Sequence, residues 1–362
     1  MKVLVINGSP RGDAGNTIHI TNAFLKGMSM IRKDDEVERV NLIDKNIGFC
    51  RGCFYCWNNM EGRCSQHDDM DELREKFKNA DLVIWSTPVH TFGMSALMKN
   101  FLDRLLPLHL GTMEERDDGG DQHIARYNKT AKQHVLIATC GFYSYTNNVE
   151  AIEKHFEIMH KGRLETIICC EGALFHIQHP DIIRRANQYL NVARRAGKEY
   201  AFSGHISEES KEQLRKRFYA RTEYHILANH HWTIPEPGMT EEQLEEKRII
   251  NVIHCMGALM NRESFTGDMP GVAEFDVWDK AYKAQLHIRA ERLKVVLDRE
   301  EFLPPNLIIR VESGRLFELD EKIRFNRQMN TDSGTQEFSG TQAIVNRMLM
   351  SMKTGRCVTV KI

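Results

Sequence analysis

Short apolar runs alternate with longer segments of helical spacing through roughly the first 200 residues. Lys2 to Asn7 (KVLVIN) is almost wholly apolar, the pattern of a strand buried on both faces of a parallel sheet. Gly8 to Gly15 cannot extend it and predicts a loop, after which a helix begins near Asn16 or Thr17 and runs to about Arg32. Val37 to Ile43 predicts a second strand and Asp81 to Thr87 (DLVIWST) a third, ended by Pro88. His134 to Thr139 and Leu164 to Cys170 predict the fourth and fifth. Between them, Asp69 as N-cap with Glu72 three residues on opens one helix, and Met94 to Leu106 sets Leu97, Phe101, Leu102 and Leu105 on one face of another. Asn147 to Glu150 caps a further helix, and Asp181 to Ala201 closes the series. Pro107 to Gln133 reads as a long polar connection, a length that is usually functional or mobile. Strands alternating with helices in this way imply an α/β fold, a doubly wound five-stranded parallel sheet over residues 1–203.

After about Gly204 the rhythm changes. Ser207 to Thr222 predicts a charged helix, and Thr240 with Gln243 a capping box for a helix that reaches about Met260. Leu307 to Glu312 and Leu316 to Leu319 flank a Ser313-Gly314 turn and predict a hairpin, and Arg356 to Ile362 a last strand. Residues 204–362 therefore form a helix-rich α+β extension, and no motif in it attaches to chemistry.

A chain of 362 residues exceeds one ordinary hydrophobic core. With 49 Lys+Arg against 50 Asp+Glu it lacks the basic footprint of a nucleic-acid binder. No apolar stretch approaches the roughly 20 residues that cross a bilayer, and the first residues lack the pattern of a secretory signal. These features predict a cytoplasmic globular protein.

Nine cysteines refine that picture, because Cys50, Cys53, Cys56 and Cys64 are crowded in one loop with spacing C-x2-C-x2-C-x7-C. In a cytoplasmic chain of this size such crowding points to metal or redox chemistry rather than a disulfide scaffold. Compact runs of this kind suit a cubane cluster, on which four thiolates must converge, whereas structural zinc sites pair two separated knuckles. Cys140, Cys169, Cys170, Cys255 and Cys357 are scattered in apolar surroundings and read as small buried hydrophobes. His155 with His160, His176 with His179, and His230-His231 lack a carboxylate partner at helical spacing and suggest no metal site. Met348, Met350 and Met352 read as core residues near the C-terminus.

Three loops carry the remaining chemistry. Gly8 to Thr17 (GSPRGDAGNT) sets glycines, hydroxyls and a fresh helix N-terminus directly after the first strand, an arrangement suited to a phosphate. It lacks the Gly-Lys-Ser/Thr of a triphosphatase loop and the GxGxxG of a dinucleotide fold. Thr87 to Gly93 and Thr139 to Tyr143 lie after the third and fourth strands, on the edge where open α/β sheets bind ligands. A phosphate loop beside two loops bearing aromatics and glycine suits a planar ring with a phosphate tail.

In these pieces, GSPRGDAGNT, the cysteine loop closing on Asp68-Asp69-Met70, TPVHTFGMSALMKNFLDR and ATCGF, the sequence resembles the flavodoxin-like, NAD(P)H-dependent FMN reductases. The resemblance spans about residues 1–200. It implies that Ser9, Arg11, Asn16 and Thr17 hold the FMN phosphate, that Pro88, Val89, His90, Phe92 and Gly93 line the isoalloxazine, and that Cys140, Gly141 and Phe142 complete the site. His90 departs from the family, which usually has Tyr there. The cysteine spacing is similar to that of the iron–sulfur flavoproteins, a subgroup with a [4Fe–4S] cluster, which Cys50, Cys53, Cys56 and Cys64 would ligate. Many reductases with a similar loop are not known to hold one, so both readings stand.

The resemblance implies an FMN oxidoreductase that takes electrons from NAD(P)H and passes them to a quinone, a flavin or another small acceptor. One alternative is an iron–sulfur flavoprotein that exchanges electrons with a redox protein. A second is a non-enzymatic flavin-based redox sensor. Proteins of these families are commonly homodimers or higher homo-oligomers, and no catalytic side chain is expected because the flavin carries the chemistry.

Overall fold

The computed structural model describes residues 1–59, 62–127, 132–160, 162–177, 180–229, 238–258, 270–280, 282–288, 293–297, 301–311 and 358–361. The chain divides into a first unit, Met1–Ala173 with Asn187–Arg217, and a second, Leu174–Ala186 with Phe218–Ile362. In chain order the elements are β1 (Lys2–Asn7), α1 (Asn16–Ser29), β2 (Glu36–Asn41), α2 (Tyr55–Asn58), α3 (Met70–Asn79), β3 (Leu82–His90), β4 (Gly93–Met94), α4 (Ala96–Asp103), β5 (His109–Glu115) and β6 (Asp121–Ala125). Then follow β7 (Gln133–Thr139), α5 (Glu150–Met159), β8 (Leu164–Cys169), α6 (Pro180–Ser203), α7 (Glu208–Arg215), α8 (Arg221–Asn229), α9 (Glu241–Ala258), β9 (Gly271–Val277), β10 (Tyr282–Ile288), β11 (Leu293–Val296), β12 (Leu307–Val311) and β13 (Val358–Lys361).

The first unit is built on a parallel sheet in the order β2-β1-β3-β7-β8, with β4 folded antiparallel onto the end of β3. The apolar runs become its strands because helices cover both faces. Val3, Leu4, Val5 and Ile6 are all essentially inaccessible, so consecutive residues are buried on opposite sides. Leu4, Ile6, Trp85, Leu136 and Ala138 face Met98, Phe101, Ile152 and Phe156 in one cluster.

Several local expectations need correction. β3 does not stop at Pro88 but runs to His90, with Pro88 in register with Thr139, because a proline near the carboxyl end of a strand removes only one ladder donor. Asp69 is not the working cap of α3. Asp68 accepts from the Met70 amide (3.0 Å), whereas Asp69 accepts from Asn46 (2.8 Å). The cap expected over Asn147 to Glu150 is present at α5, through the Glu150 carboxylate, which takes the Asn147 and Val149 amides. The stretch 107–133 is not wholly a loop: β5 and β6 pair antiparallel. They are largely exposed, so they carry no apolar signal. The helix expected over 207–222 is two, α7 and α8, separated around Lys216 to Ala220.

The second unit holds a sheet in the order β11-β10-β9-β12-β13. The first three strands are antiparallel, and β12 runs parallel to both β9 and β13. The α9 residues Ile249, Val252, Ile253 and Met256 pack on Phe275, Leu286 and Ile309. The Thr240 capping box is present: Gln243 N donates to Thr240 Oγ1 (3.2 Å) and Thr240 N to Gln243 Oε1 (2.9 Å). The expectation of a helix-rich extension missed β9, β10 and β11. Leu307–Val311 is a strand, but its partners are parallel ones, and Leu316 to Leu319 lie outside the described residues. The same holds for Met348, Met350, Met352, Cys357, His179 and His230-His231.

Candidate functional site

The loop after β1 is folded by its own polar groups. Asn7 Nδ2 donates to the Gly12 carbonyl (3.0 Å), Asn7 Oδ1 accepts from Ser9 N (3.1 Å), and Ser9 Oγ accepts from Arg11 N (3.2 Å). Gly15 leads into α1 directly above Ser9, and a Cβ on it would lie 2.3 Å from Ser9 Oγ. Gly8 is equally confined, since a Cβ there would sit 2.9 Å from Ser95 Oγ. The first amides of α1 are presented at this turn with no side-chain cap. Asn16 Oδ1 is buried without a hydrogen-bond partner. Exchanging the Nδ2 and Oδ1 of this amide would put a donor at the buried, unpartnered position. Arg11 is exposed and pairs with no acid among the described residues, and burial of part of its stem lowers its pKa without discharging it.

Two buried hydrogen bonds tie this loop to the ends of β3 and β7. Ser95 Oγ donates to the Gly8 carbonyl (2.6 Å) while accepting from Met98 N as the cap of α4. Thr17 Oγ1 and Thr139 Oγ1 are 2.6 Å apart. Ser95 and Thr139 were not predicted as site residues. Their roles depend on partners 87 and 122 residues away in the chain, which no local pattern reveals.

β3 and β4 are joined by Thr91 and Phe92, both at positive φ (48° and 64°), the pattern of a two-residue type I′ turn. Neither residue type favours that conformation, and such strain costs on the order of 1–3 kcal/mol per residue. The turn presents Phe92 to Phe142 with ring centroids 5.8 Å apart and planes 21° apart. Both rings stay about half exposed. His90, at the end of β3, is exposed as well, and Pro88, Val89 and Gly93 are partly covered. Gly141 has open space where a Cβ would stand. Cys140 is buried, as are Cys169, Cys170 and Cys255. Its sulfur accepts from Phe142 N (3.4 Å), and a hydrogen bond from Cys170 lowers the Cys140 thiol pKa while raising that of Cys170. Thus the loops after β1, β3 and β7 meet on the carboxyl edge of the sheet.

The cysteine loop is held at its base. Arg104, almost wholly buried, makes a two-pronged contact with Asp68 (2.6 and 2.9 Å) and donates to the Gly48 carbonyl (2.6 Å). Asp68 also takes the Gly48 amide at 3.0 Å. Burial alone would raise the Asp68 pKa, but Arg104 and the Gly48 and Met70 amides outweigh it and hold it below the ordinary value. Beyond this base, Trp57 of α2 stacks on Phe54 (5.0 Å) and packs against His123 of β6 (4.7 Å). Cys50 and Cys53 are exposed, Cys64 is half-buried and Cys56 buried. Hydrogen bonds from Tyr55 N and Ser65 lower the Cys53 thiol pKa, whereas burial, then Cys64, raises that of Cys56. Among the described residues no three His, Cys, Asp or Glu side chains are grouped as the ligands of a single metal ion, while Cys50, Cys53 and Cys64 all act electrostatically on Cys56.

This parallel sheet, with its order and its loops on the carboxyl edge, makes the first unit a flavodoxin-like α/β domain. Residues 1–139 match the sequence profile of the NADPH-dependent FMN reductases. An iron–sulfur flavoprotein of Archaeoglobus fulgidus is 39% identical over 120 residues, which is 33% of this chain and 52% of that protein. One from Methanocaldococcus jannaschii is 37% identical over 120 residues, 33% of this chain and 60% of its own length. An FMN-dependent NADH:quinone oxidoreductase of Mesomycoplasma hyopneumoniae is 27% identical over 167 residues, covering 44% and 79%. The chain thus spans little more than half the length of the first two relatives. Among solved structures, an FMN-dependent NADH-azoreductase of Bacillus anthracis aligns with 56% of this chain and 99% of its own at 18% identity and a TM-score of 0.42. No helix among the described residues is long and apolar enough to cross a membrane.

Proposed function

We propose that the first unit binds FMN and that the protein oxidises NAD(P)H, passing the electrons to a quinone, a flavin or another small acceptor. The observation that carries this reading is the meeting of three loops on one sheet edge, joined through Ser95 to Gly8 and Thr17 to Thr139, with an unpaired Asn16 amide end and an unpaired Arg11 in the first. Ser9, Arg11, Asn16 and Thr17 fit a phosphate dianion, together with the first amides of α1. Pro88, Val89, His90, Phe92 and Gly93 form one wall for the ring, and Cys140, Gly141 and Phe142 the other. When bound, FMN supplies the hydride-accepting and electron-donating chemistry. The side chains fix the phosphate, set the ring plane and leave room for a second substrate. Titration of the protein with FMN, followed by NADH or NADPH oxidation with a soluble quinone, tests this. Tight 1:1 binding with turnover supports it. Absence of FMN binding sinks it, and binding without turnover leaves a flavin-based sensor.

A second reading is favoured by the names of the 39% and 37% identical relatives and by the cysteine spacing. It makes the protein an iron–sulfur flavoprotein with Cys50, Cys53, Cys56 and Cys64 as ligands and a redox protein as partner. Cys56 would be the buried ligand of that set, Cys64 a half-buried one and Cys50 and Cys53 the exposed ones. Iron and acid-labile sulfide counted on anaerobically purified protein decide between the two readings. Light scattering of the same sample tests the expected homodimer or higher oligomer.

A further inference from the structure

A cavity of about 840 Å³ opens in the first unit, lined by none of the residues assigned to FMN. Its walls include Lys132 and His134 around the start of β7, Leu102 and Asp103 at the end of α4 with Leu105 and Leu106 just after it, and Met159 and His160 around the end of α5. These mark the amino edge of the sheet, whereas the flavin loops lie on the carboxyl edge, a strand length of about 20 Å away. The β5–β6 hairpin supplies His123 and Ala125, and the cysteine loop contributes Cys50 and Phe54. A volume of this size is in the range of sites for small organic ligands.

Three features give the cavity a chemistry. Two rings of its lining are stacked: the His134 and His160 imidazoles lie 3.6 Å apart, 15° from parallel. Burial, ahead of the neighbouring charges, lowers the His134 pKa to about 2 and that of His160 to about 3, so both are neutral at pH 7. Two of its polar atoms have no partner. Trp85 Nε1 donates to His134 Nδ1 (3.2 Å), but His160 Nε2 and, on the hairpin, His123 Nδ1 are buried with none. A buried nitrogen left unpaired has lost its water without gaining a partner, so a group that meets it is stabilised. Its charge is one-sided. The one acid in the lining, Asp103, is neutralised by Lys99 (2.6 Å), and Lys132 is taken up by the Ala80 carbonyl (2.8 Å). Arg163 lines the mouth with no acid beside it among the described residues.

We propose that this cavity is a second ligand site, separate from the flavin, for a planar aromatic anion. The ring would lie along the stacked imidazoles and the leucines of α4, its polar edge would meet His160 Nε2 and His123 Nδ1, and its acid would face Arg163. The site stands whether or not the flavin reading holds, because it shares no residue with it.

The test is calorimetry on the full-length, FMN-saturated protein with 2-naphthoate as probe and 2-naphthylmethanol as its neutral counterpart. Expected are 1:1 binding of the acid, at least tenfold weaker binding of the alcohol, and an unchanged flavin absorption spectrum. Arg163→Glu should weaken the acid at least tenfold, and Ala125→Trp, which fills the hairpin side, should abolish binding. Both positions are exposed, and an unchanged melting temperature verifies that each variant is folded. No binding, equal binding of acid and alcohol, full binding to the Ala125→Trp variant, or a perturbed flavin spectrum would each overturn the proposal.

Discussion

The loop after β1 and the cysteine loop both carry dense chemistry between a strand and a helix, yet they are built in opposite ways. The first is closed by its own hydrogen bonds, Asn7 to Gly12 and Ser9 to Arg11, and buttressed by buried hydroxyls from β7 and the α4 cap. The second is fastened at its base by Asp68 and Arg104, and its four thiols occupy unlike environments. The first loop thus holds its polar groups in place through bonds within the loop, whereas the second draws its order from the buried ion pair beneath it.

The largest effect expected is from Arg104→Met. It leaves the buried Asp68 carboxylate without its cation and should destabilise the first unit by about 3–5 kcal/mol, measured by urea denaturation. An unchanged midpoint would mean that the cysteine loop is fastened elsewhere. Next comes Gly15→Ala, whose methyl group would overlap Ser9 Oγ. It should weaken FMN at least tenfold, about 1.4 kcal/mol, while leaving the cysteine loop untouched. Equal FMN affinity in the variant would show that the cradle is not the phosphate site.

The same pair of loops gives a pH prediction. The Asp68 pKa lies below its unfolded value, so its contribution is complete above that unfolded value and is lost as the pH falls through the folded one. Acid denaturation curves of wild type and Arg104→Met should therefore converge at low pH. Curves that stay parallel would remove Asp68 from the account. A smaller effect is expected at the ring wall: Thr91→Asn accepts positive φ more readily and should stabilise by up to about 1 kcal/mol. The smallest is Cys53→Ser, at an exposed position, with no change in melting temperature or FMN content. A loss of iron in that variant, if iron is found in the parent, would support the cluster reading.

Much of the first unit was legible because strands buried on both faces must be continuously apolar, as KVLVIN and HVLIAT are. The turn after β1 and the start of α1 were legible because a run of glycines with Pro10 cannot extend the strand. The β5–β6 hairpin was hidden, since a largely exposed ribbon such as TMEE facing DQHI needs no apolar face. β9 to β11 escaped for a related reason: GVAEFDV carries charges on the strand face away from α9, so its burial alternates instead of running unbroken.

Sequence by itself determined the parallel sheet, the edge on which its loops gather, and the residue types available there, because those follow from periodicity and backbone conformation within a few neighbouring residues. Only the tertiary structure decided what each group meets. It set Ser95 under Gly8, Thr139 against Thr17 and Arg104 under the cysteine loop, and it stacked His134 on His160 in the lining of a cavity. Those pairings join residues from 26 to 122 positions apart, and the energy of a buried hydrogen bond or ion pair depends on the partner it finds, which the local sequence does not name.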